Sequence, residues 1–379
     1  MPITAYSISE KKELDVEQVL QQLARRAGIP TLHATAPIPE SWRAVLREDL
    51  ECPCCFVKGA EVVKQAISRG SGKIIRQACF RFVTPGHHPN CDYAEADSTD
   101  FIPENLVHFG AAKTKLTRAV RDLVCVGISI GAFSQAAIRD MREWFFHLKQ
   151  ASNFVVTLDE STPRRIDMLI RLRSQMHFSL PDDLDFDEEI ACLPGFNISG
   201  EAARLVMKKY REAVSFTEKH RLWYGSEYSR ITALAKRYYG KTVFDPVILQ
   251  GEYEKTVELA RFATWNYEPF MSASKKNPHS LEHSVLALCA VLLYVSNWEI
   301  VPATRLFAKI ATKVGAATPD LGNVIGLNPF HDFMAWRNLK KMQELQNAQL
   351  LSGDPGKEWL DQKTELSAFV LRFHVENQE

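Results

Sequence analysis

No apolar run in this sequence approaches the ~18 or more residues that a membrane-spanning helix requires; the most apolar stretch, Ser284 to Ser296, stops well short. Neither sign of charge is in excess, since 46 Lys+Arg balance 46 Asp+Glu, which excludes a uniformly polybasic, nucleic-acid-coating chain. Glycine and proline, 18 of each among 379 residues, are too few for collagen-like or low-complexity classes. The N-terminal segment lacks the basic patch and apolar core of a signal peptide and carries Glu10, Glu13, Asp15 and Glu17 instead, so the expected location is cytoplasmic, with no membrane partner. What is present is a chain 46% hydrophobic, long enough for two or three globular units.

Zero net charge conceals segregation along the chain. Residues 51–180 hold 17 basic and 13 acidic residues, 181–200 hold none and 6, and 201–241 hold 10 and 4. The acidic run Asp182, Asp183, Asp185, Asp187, Glu188 and Glu189 sits between helically periodic regions and reads as a linker. Amphipathic spacing predicts helices over 14–27, 104–126, 134–150 and 202–220, and again over 252–265, 280–296, 302–314, 330–351 and 358–375. Between Cys52 and Tyr93 the period shortens, and Lys73 to Val83 reads as a strand closed by Pro85-Gly86. The expected organisation is N-terminal helices over 1–50, a zinc-ribbon-like module over 51–95, a helical region with a basic stripe over 96–180, an acidic linker over 181–195, and a helical C-terminal domain over 196–379. The fold class is therefore mainly α, with a small zinc-stabilised β-ribbon module near the N-terminus and a helical C-terminal domain.

Three of the eight cysteines fall in Cys52-Pro53-Cys54-Cys55. In a reducing compartment such spacing serves metals better than disulfides. A two-residue gap lets Cys52 and Cys55 point at one ion from a tight turn, and His88-x-x-Cys91 repeats the gap beyond the strand. Cys52, Cys55, His88 and Cys91 form the expected ligand set, with His87 an alternative to His88 and Cys54 to its neighbours. Four protein ligands favour a structural Zn²⁺, because a catalytic zinc keeps a position open for water. Such an ion replaces the core that a small β-ribbon cannot build. Without metal, the segment would be a cysteine-rich turn. Cys79, Cys125, Cys192 and Cys289 sit in apolar sequence and read as core residues.

The order Cys-Pro-x-Cys, a strand ending Phe80-Arg81-Phe82, a histidine–cysteine pair, then Glu104, His108 and Lys113 heading a helix resembles the N-terminal region of CoiA-type competence proteins. The resemblance covers about residues 50–125. It implies a zinc-ribbon-like module ahead of a nuclease-like domain, acting on DNA. Where the family has aromatic-flanked histidines, this chain has Thr84-Pro85-Gly86-His87-His88, and no nuclease core is legible downstream.

A metal-dependent nuclease needs carboxylates on adjacent strands and a nearby lysine to hold Mg²⁺ and orient water. Asp361-x-Lys363 and Glu10-x-Lys12 match only in letters; Asp159 or Glu160, after the strand-like 153–158, is the better candidate, or else a turn acid before the helix start Ser161-Thr162-Pro163. His279-x-x-Glu282-His283 has the letters of an inverzincin metal site, with Glu358 or Glu365 formally available as a further ligand, yet it also reads as an ordinary helix start.

Two basic regions suit nucleic acid. Lys113, Lys115, Arg118 and Arg121 can form a stripe on the helix after the ribbon. Lys208, Lys209, Arg211, Lys236, Arg237 and Lys241 are interleaved with Tyr210, Phe216, Trp223, Tyr224, Tyr228, Tyr238 and Tyr239, a composition that neutralises phosphates and stacks on bases. The same pattern also describes amphipathic helices with aromatics inward and charges solvated. The leading expectation is a zinc-binding, nucleic-acid-associated accessory protein of bacterial or mobile-element DNA processing or defence. The alternatives are a metal-dependent nuclease and a protein-interaction scaffold with purely structural zinc.

Overall fold

The structure, a computed structural model, describes residues 2, 4–30, 36–67, 74–76, 78–88, 91, 93, 115–176, 180, 184, 186–191, 193–222, 228–274, 283–313, 330 and 332–376. In chain order it comprises strands β1 (Thr4–Ser7) and β2 (Lys12–Asp15), helices α1 (Val16–Ala27) and α2 (Glu40–Asp49), and strands β3 (Leu50–Glu51), β4 (Ala60–Val63), β5 (Ala66–Ile67), β6 (Ile74–Arg76) and β7 (Cys79–Phe82). Helices α3 (Lys115–Ser129) and α4 (Gln135–Ala151), strand β8 (Asn153–Val155), and helices α5 (Thr162–Gln175), α6 (Glu188–Ala191), α7 (Ile198–Lys209), α8 (Arg211–Lys219) and α9 (Tyr228–Tyr238) follow. The remainder is β9 (Thr242–Phe244), α10 (Gln250–Asn266), α11 (Glu268–Ser274), α12 (His283–Val295), α13 (Ile300–Ala311), α14 (Phe333–Asn347) and α15 (Pro355–Glu376). The chain is mainly α, and its strands are short and mostly precede residue 83.

Two compact units emerge, one of Met1–Ser152 with Ile248–His331 and one of Asn153–Val247 with Asp332–Glu379. The acidic segment 181–195 lies within the second.

In the first unit, β2, β1 and β3 form an antiparallel sheet in that order. These strands, absent from the helical expectation for 1–50, are two to four residues long, too short for a period-2 pattern to stand out. Asp15 caps α1 in a reciprocal pair with Gln18, satisfying two otherwise orphaned backbone donors. Val16, Val19, Leu20 and Leu23 of α1 then pack with Trp42 and Leu46 of α2 and with Leu50, Phe80 and Phe82. The expected strand over 73–83 is divided: β6 pairs with β5, and β7 pairs with β4 in the register Ala60↔Phe82 to Val63↔Cys79.

Helix α4, capped by Ser134, is tied to this sheet by charge. Arg142 pairs with Glu13, their side chains only 5% and 4% exposed, and Arg139 reaches Glu51 at 2.8 Å. The apolar run noted in the sequence is the core helix α12, in which every residue from Ser284 to Leu293 is buried. No single helix among the described residues is long and apolar enough to cross a membrane.

In the second unit, Ile166, Leu169 and Leu172 of α5, Ala203 and Val206 of α7, Ile231 and Leu234 of α9, and Leu339 and Met342 of α14 share one core. Strand β8 pairs with β9. Beyond β8 the extended chain is held by side-chain amides of α14: Gln343 bonds the Thr157 N–H and Val155 carbonyl at 2.8 and 2.9 Å, and Gln346 bonds the Asp159 N–H and Thr157 carbonyl at the same distances. Two glutamines one helical turn apart thus satisfy backbone groups that a further strand would otherwise pair. The helix expected over 202–220 breaks at Tyr210, between α7 and α8, where the tyrosine is buried and its hydroxyl donates to Glu358 of α15 at 2.6 Å.

Candidate metal centre and basic surfaces

Strand β3 delivers Cys52 into a tight turn. The Cys52 N–H donates to the Val57 carbonyl at 2.9 Å and the Phe56 N–H to the Cys52 carbonyl at 3.0 Å. Phe56 sits at φ 59°, a left-handed conformation that disfavours a bulky side chain. Its ring packs edge-on against Phe146, 6.1 Å between centroids, and under the Arg139 guanidinium at 4.9 Å. Gly59, at φ 91°, lies so close to the Thr84 carbonyl that any Cβ there would collide with it. This contact lets the two arms of the ribbon approach, bringing the residues after Phe82 over the turn.

Cys52, Cys55, His87 and Cys91 converge there, their donor atoms all within 4.8 Å of one another. Among the described residues this is the one group of three or more histidine, cysteine or acidic side chains placed to hold a metal ion. Cys52 Sγ and Cys91 Sγ are 3.8 Å apart, and His87 Nδ1 lies 3.5 Å from Cys55 Sγ and 3.4 Å from Cys91 Sγ. A tetrahedron with metal–sulfur bonds of ~2.3 Å and metal–nitrogen bonds of ~2.0–2.1 Å has S···S edges of about 3.8 Å and S···N edges of about 3.5 Å. The donor set therefore fits a four-coordinate ion.

Backbone N–H groups donate to all three sulfurs. Cys52 Sγ accepts the Cys54 N–H at 3.5 Å, Cys91 Sγ accepts the Tyr93 N–H at 3.4 Å, and Cys55 accepts the His88 N–H. Hydrogen bonds from Cys52, Cys91 and His87 pull the Cys55 thiol down. Burial pushes Cys52 up, and the bond to Cys52 pushes Cys91 up. Three adjacent thiolates repel one another, so full ionisation of the cluster calls for a cation among them.

The expected ligand set is corrected at one position. His87, not His88, joins the thiols. Successive side chains of non-helical chain point to opposite sides, so His88 turns toward α4, with its ring 5.2 Å from Phe146 and its Nε2 3.1 Å from Gln150 Nε2. His87 is instead flanked by the rings of Phe82 and Tyr93. Cys54 is buried outside the donor group, as are Cys79, Cys125 and Cys289; Cys192 lies outside the described residues.

Of the stripe after the ribbon, Lys113 lies outside the described residues, as do Glu104 and His108. Lys115 and Arg118 are exposed on α3, and Arg121 is half-buried, 3.9 Å from Asp122. In the second unit, Lys208, Lys209, Arg211 and Lys219 line an open concavity of about 1050 Å³ together with Glu212. Lys209 is engaged by Glu358 at 2.7 Å. Lys236 stands on α9, 3.9 Å from Glu160, while Arg237 and Lys241 lie over the Tyr238 ring. The interleaved aromatics mostly face inward. Tyr210 and Tyr228 are buried with their hydroxyls bonded, and Tyr238 packs on Trp336. Tyr239 is 64% exposed, and Trp223 and Tyr224 lie outside the described residues.

Asp159 ends the extended segment after β8, and hydrogen bonds from the Ser161 side chain and, at 2.6 Å, the Ser161 N–H hold its carboxyl below the usual range; that is the geometry of a turn acid. Asp361 and Lys363 lie on α15, and Glu10 pairs with Arg26. His283 opens α12, while His279 and Glu282 lie outside the described residues. No protein-family model, no curated protein and no solved structure matches the chain.

Proposed function

We propose that the chain is a zinc-binding protein that associates with nucleic acid, with a structural ion held by Cys52, Cys55, His87 and Cys91. The observation that carries this reading is the donor geometry: three sulfurs and one imidazole nitrogen within 4.8 Å of one another, three of their separations matching tetrahedral edges. Thiolate-rich tetrahedral sets favour Zn²⁺ over harder or square-planar ions. Four protein ligands leave no position for a reacting water, so the ion's role is to join the turn after β3 to the chain after β7. Nucleic-acid association draws on the concavity of the second unit, where four basic side chains face one carboxylate, and on the CoiA-like order of motifs.

Metal analysis tests the first part: about one zinc per chain, lost on replacing Cys52 and Cys55 with serine. A zinc-free protein with unchanged folding would overturn it. Fluorescence anisotropy with labelled single-stranded DNA tests the second, since binding through phosphates must weaken as salt rises and after replacing Lys208, Arg211 and Lys219 with alanine. Undiminished binding in that triple variant would reject the concavity as the interface, and no binding by the wild type would favour the scaffold reading.

A further inference from the structure

The first unit carries a second charged feature, separate from the basic stripe on α3 and from the concavity of the second unit. Arg43 and Arg47 stand one turn apart on α2 and so share a helix face. With Lys64 just after β4 and Arg81 on β7, they line a cavity of about 300 Å³ floored in part by buried Leu46. Glu61 is the single carboxylate in that lining.

The guanidinium groups are held in place. Arg81 sits opposite Glu61 across the ribbon and donates to it at 2.7 Å. The other Glu61 oxygen faces Arg47 at 3.6 Å. Arg43 donates its Nε–H to the Ile38 carbonyl at 3.3 Å. The wall formed by α2 is fixed to the cysteine turn, because the Gly59 N–H donates to the Arg47 carbonyl at 3.0 Å. Glu40 lies 3.7 Å from Arg43 and 3.8 Å from Arg47, but is 76% exposed. Counting both glutamates against the three arginines alone still leaves one positive charge over.

We propose that this pocket binds a phosphate ester, as a free nucleotide or as the backbone of a nucleic-acid strand. Planar guanidinium forks on two walls match the bidentate geometry of phosphate oxygens. The cavity's size suits a phosphate with part of its attached sugar, and partial enclosure strengthens charge pairing relative to open solvent. The pocket is independent of the concavity in the second unit, and either site can fail alone.

The test is calorimetric titration of the zinc-loaded full chain with inorganic pyrophosphate, AMP and a short oligothymidylate, using wild type, R43Q/R47Q, R81Q and K208A/R211A/K219A. With the second-unit concavity removed by K208A/R211A/K219A, the chain is expected still to bind pyrophosphate, and adding R43Q/R47Q to that background lowers the affinity about tenfold or more, with a fall also on adding R81Q. Tighter binding of oligothymidylate than of AMP through the same arginines identifies a strand as the ligand; equal binding identifies a nucleotide. Because Arg43, Arg47 and Arg81 are about half-exposed, the variants should keep wild-type circular dichroism and zinc content. The proposal is overturned if wild type ignores pyrophosphate, or if, on the triple-variant background, folded R43Q/R47Q and R81Q both bind it as that background does.

Discussion

Cys55 Sγ and His87 Nδ1 lie 3.5 Å apart although 32 positions separate them in sequence. The β4–β7 ribbon spans that gap and returns the chain to its starting turn. The neighbouring His88 offers the same side chain one residue away but faces Phe146. Replacing His87 with alanine should therefore release most of the zinc, whereas the His88 replacement should retain it. Metal content after dialysis decides this, and equal retention in both variants would remove His87 from the site.

Chelation should cost the first unit its stability. A ligand present at about 1,000 times its dissociation constant stabilises the native state by about 4 kcal/mol. The melting temperature should fall on treatment with a strong chelator and return with added zinc. A chelator-insensitive melting curve would contradict a structural ion.

Gly59 is the residue at which the ribbon arms close. A methyl group there meets the Thr84 carbonyl, and φ 91° is unfavourable to any L side chain. Gly59→Ala should lower stability by roughly 1–3 kcal/mol and weaken zinc retention together with it. Gly240, also at positive φ but with open space around its Cβ, provides the control, since its alanine variant should leave zinc content untouched.

Within α7, Glu201 and Arg204 are 0% and 2% exposed and bridge at 2.7 Å. Arg204→Met would leave the Glu201 carboxylate buried without its charge partner, at an expected cost of about 3–5 kcal/mol. The double replacement of Glu201 and Arg204 by apolar residues should recover much of that loss. Urea unfolding of the three variants measures both effects, and a silent single variant would show that water reaches the carboxylate.

His220 contributes a pH dependence to the second unit. Burial, then the nearby Lys341, with Lys219 and Arg337 adding and Glu344 opposing, hold its imidazole below its ordinary value. Its ring also lies 4.4 Å from that of Phe216. The unfolded chain takes up a proton at about pH 6.5 before the folded one does, so this stability is present above that pH and is lost as pH falls through the lower folded value. His220→Gln should flatten the urea midpoint across this range, and NMR titration of the imidazole should show the depressed value.

The sequence carried its local features clearly. Apolar spacing located α1, α4, α10 and α15 to within a few residues, and Asp15 and Ser134 also marked the starts of α1 and α4. Cys52-x-x-Cys55 marked the metal turn, since few other structures need that spacing. The choice between His87 and His88 depends on which side of the chain faces inward, and adjacent identical residues carry no such signal. The tyrosines of 201–241 had two readings, and only the core of α7, α9 and α14 showed that Tyr210 and Tyr228 belong inside. The pocket around Arg43 and Arg81 had no local pattern, because a helix and a strand 38 positions apart supply it.

The interleaving of the two units sets an order of events during synthesis. Residues Met1–Ser152 leave the ribosome well before Ile248–His331, with which they share a unit. At ~5–20 residues per second, the intervening stretch takes roughly five to twenty seconds to appear. All four candidate metal ligands have emerged by position 91, so the turn and ribbon are made while the helices that complete their unit are still to come. A chain cut after Val247 would hold the full ligand set but two unfinished cores.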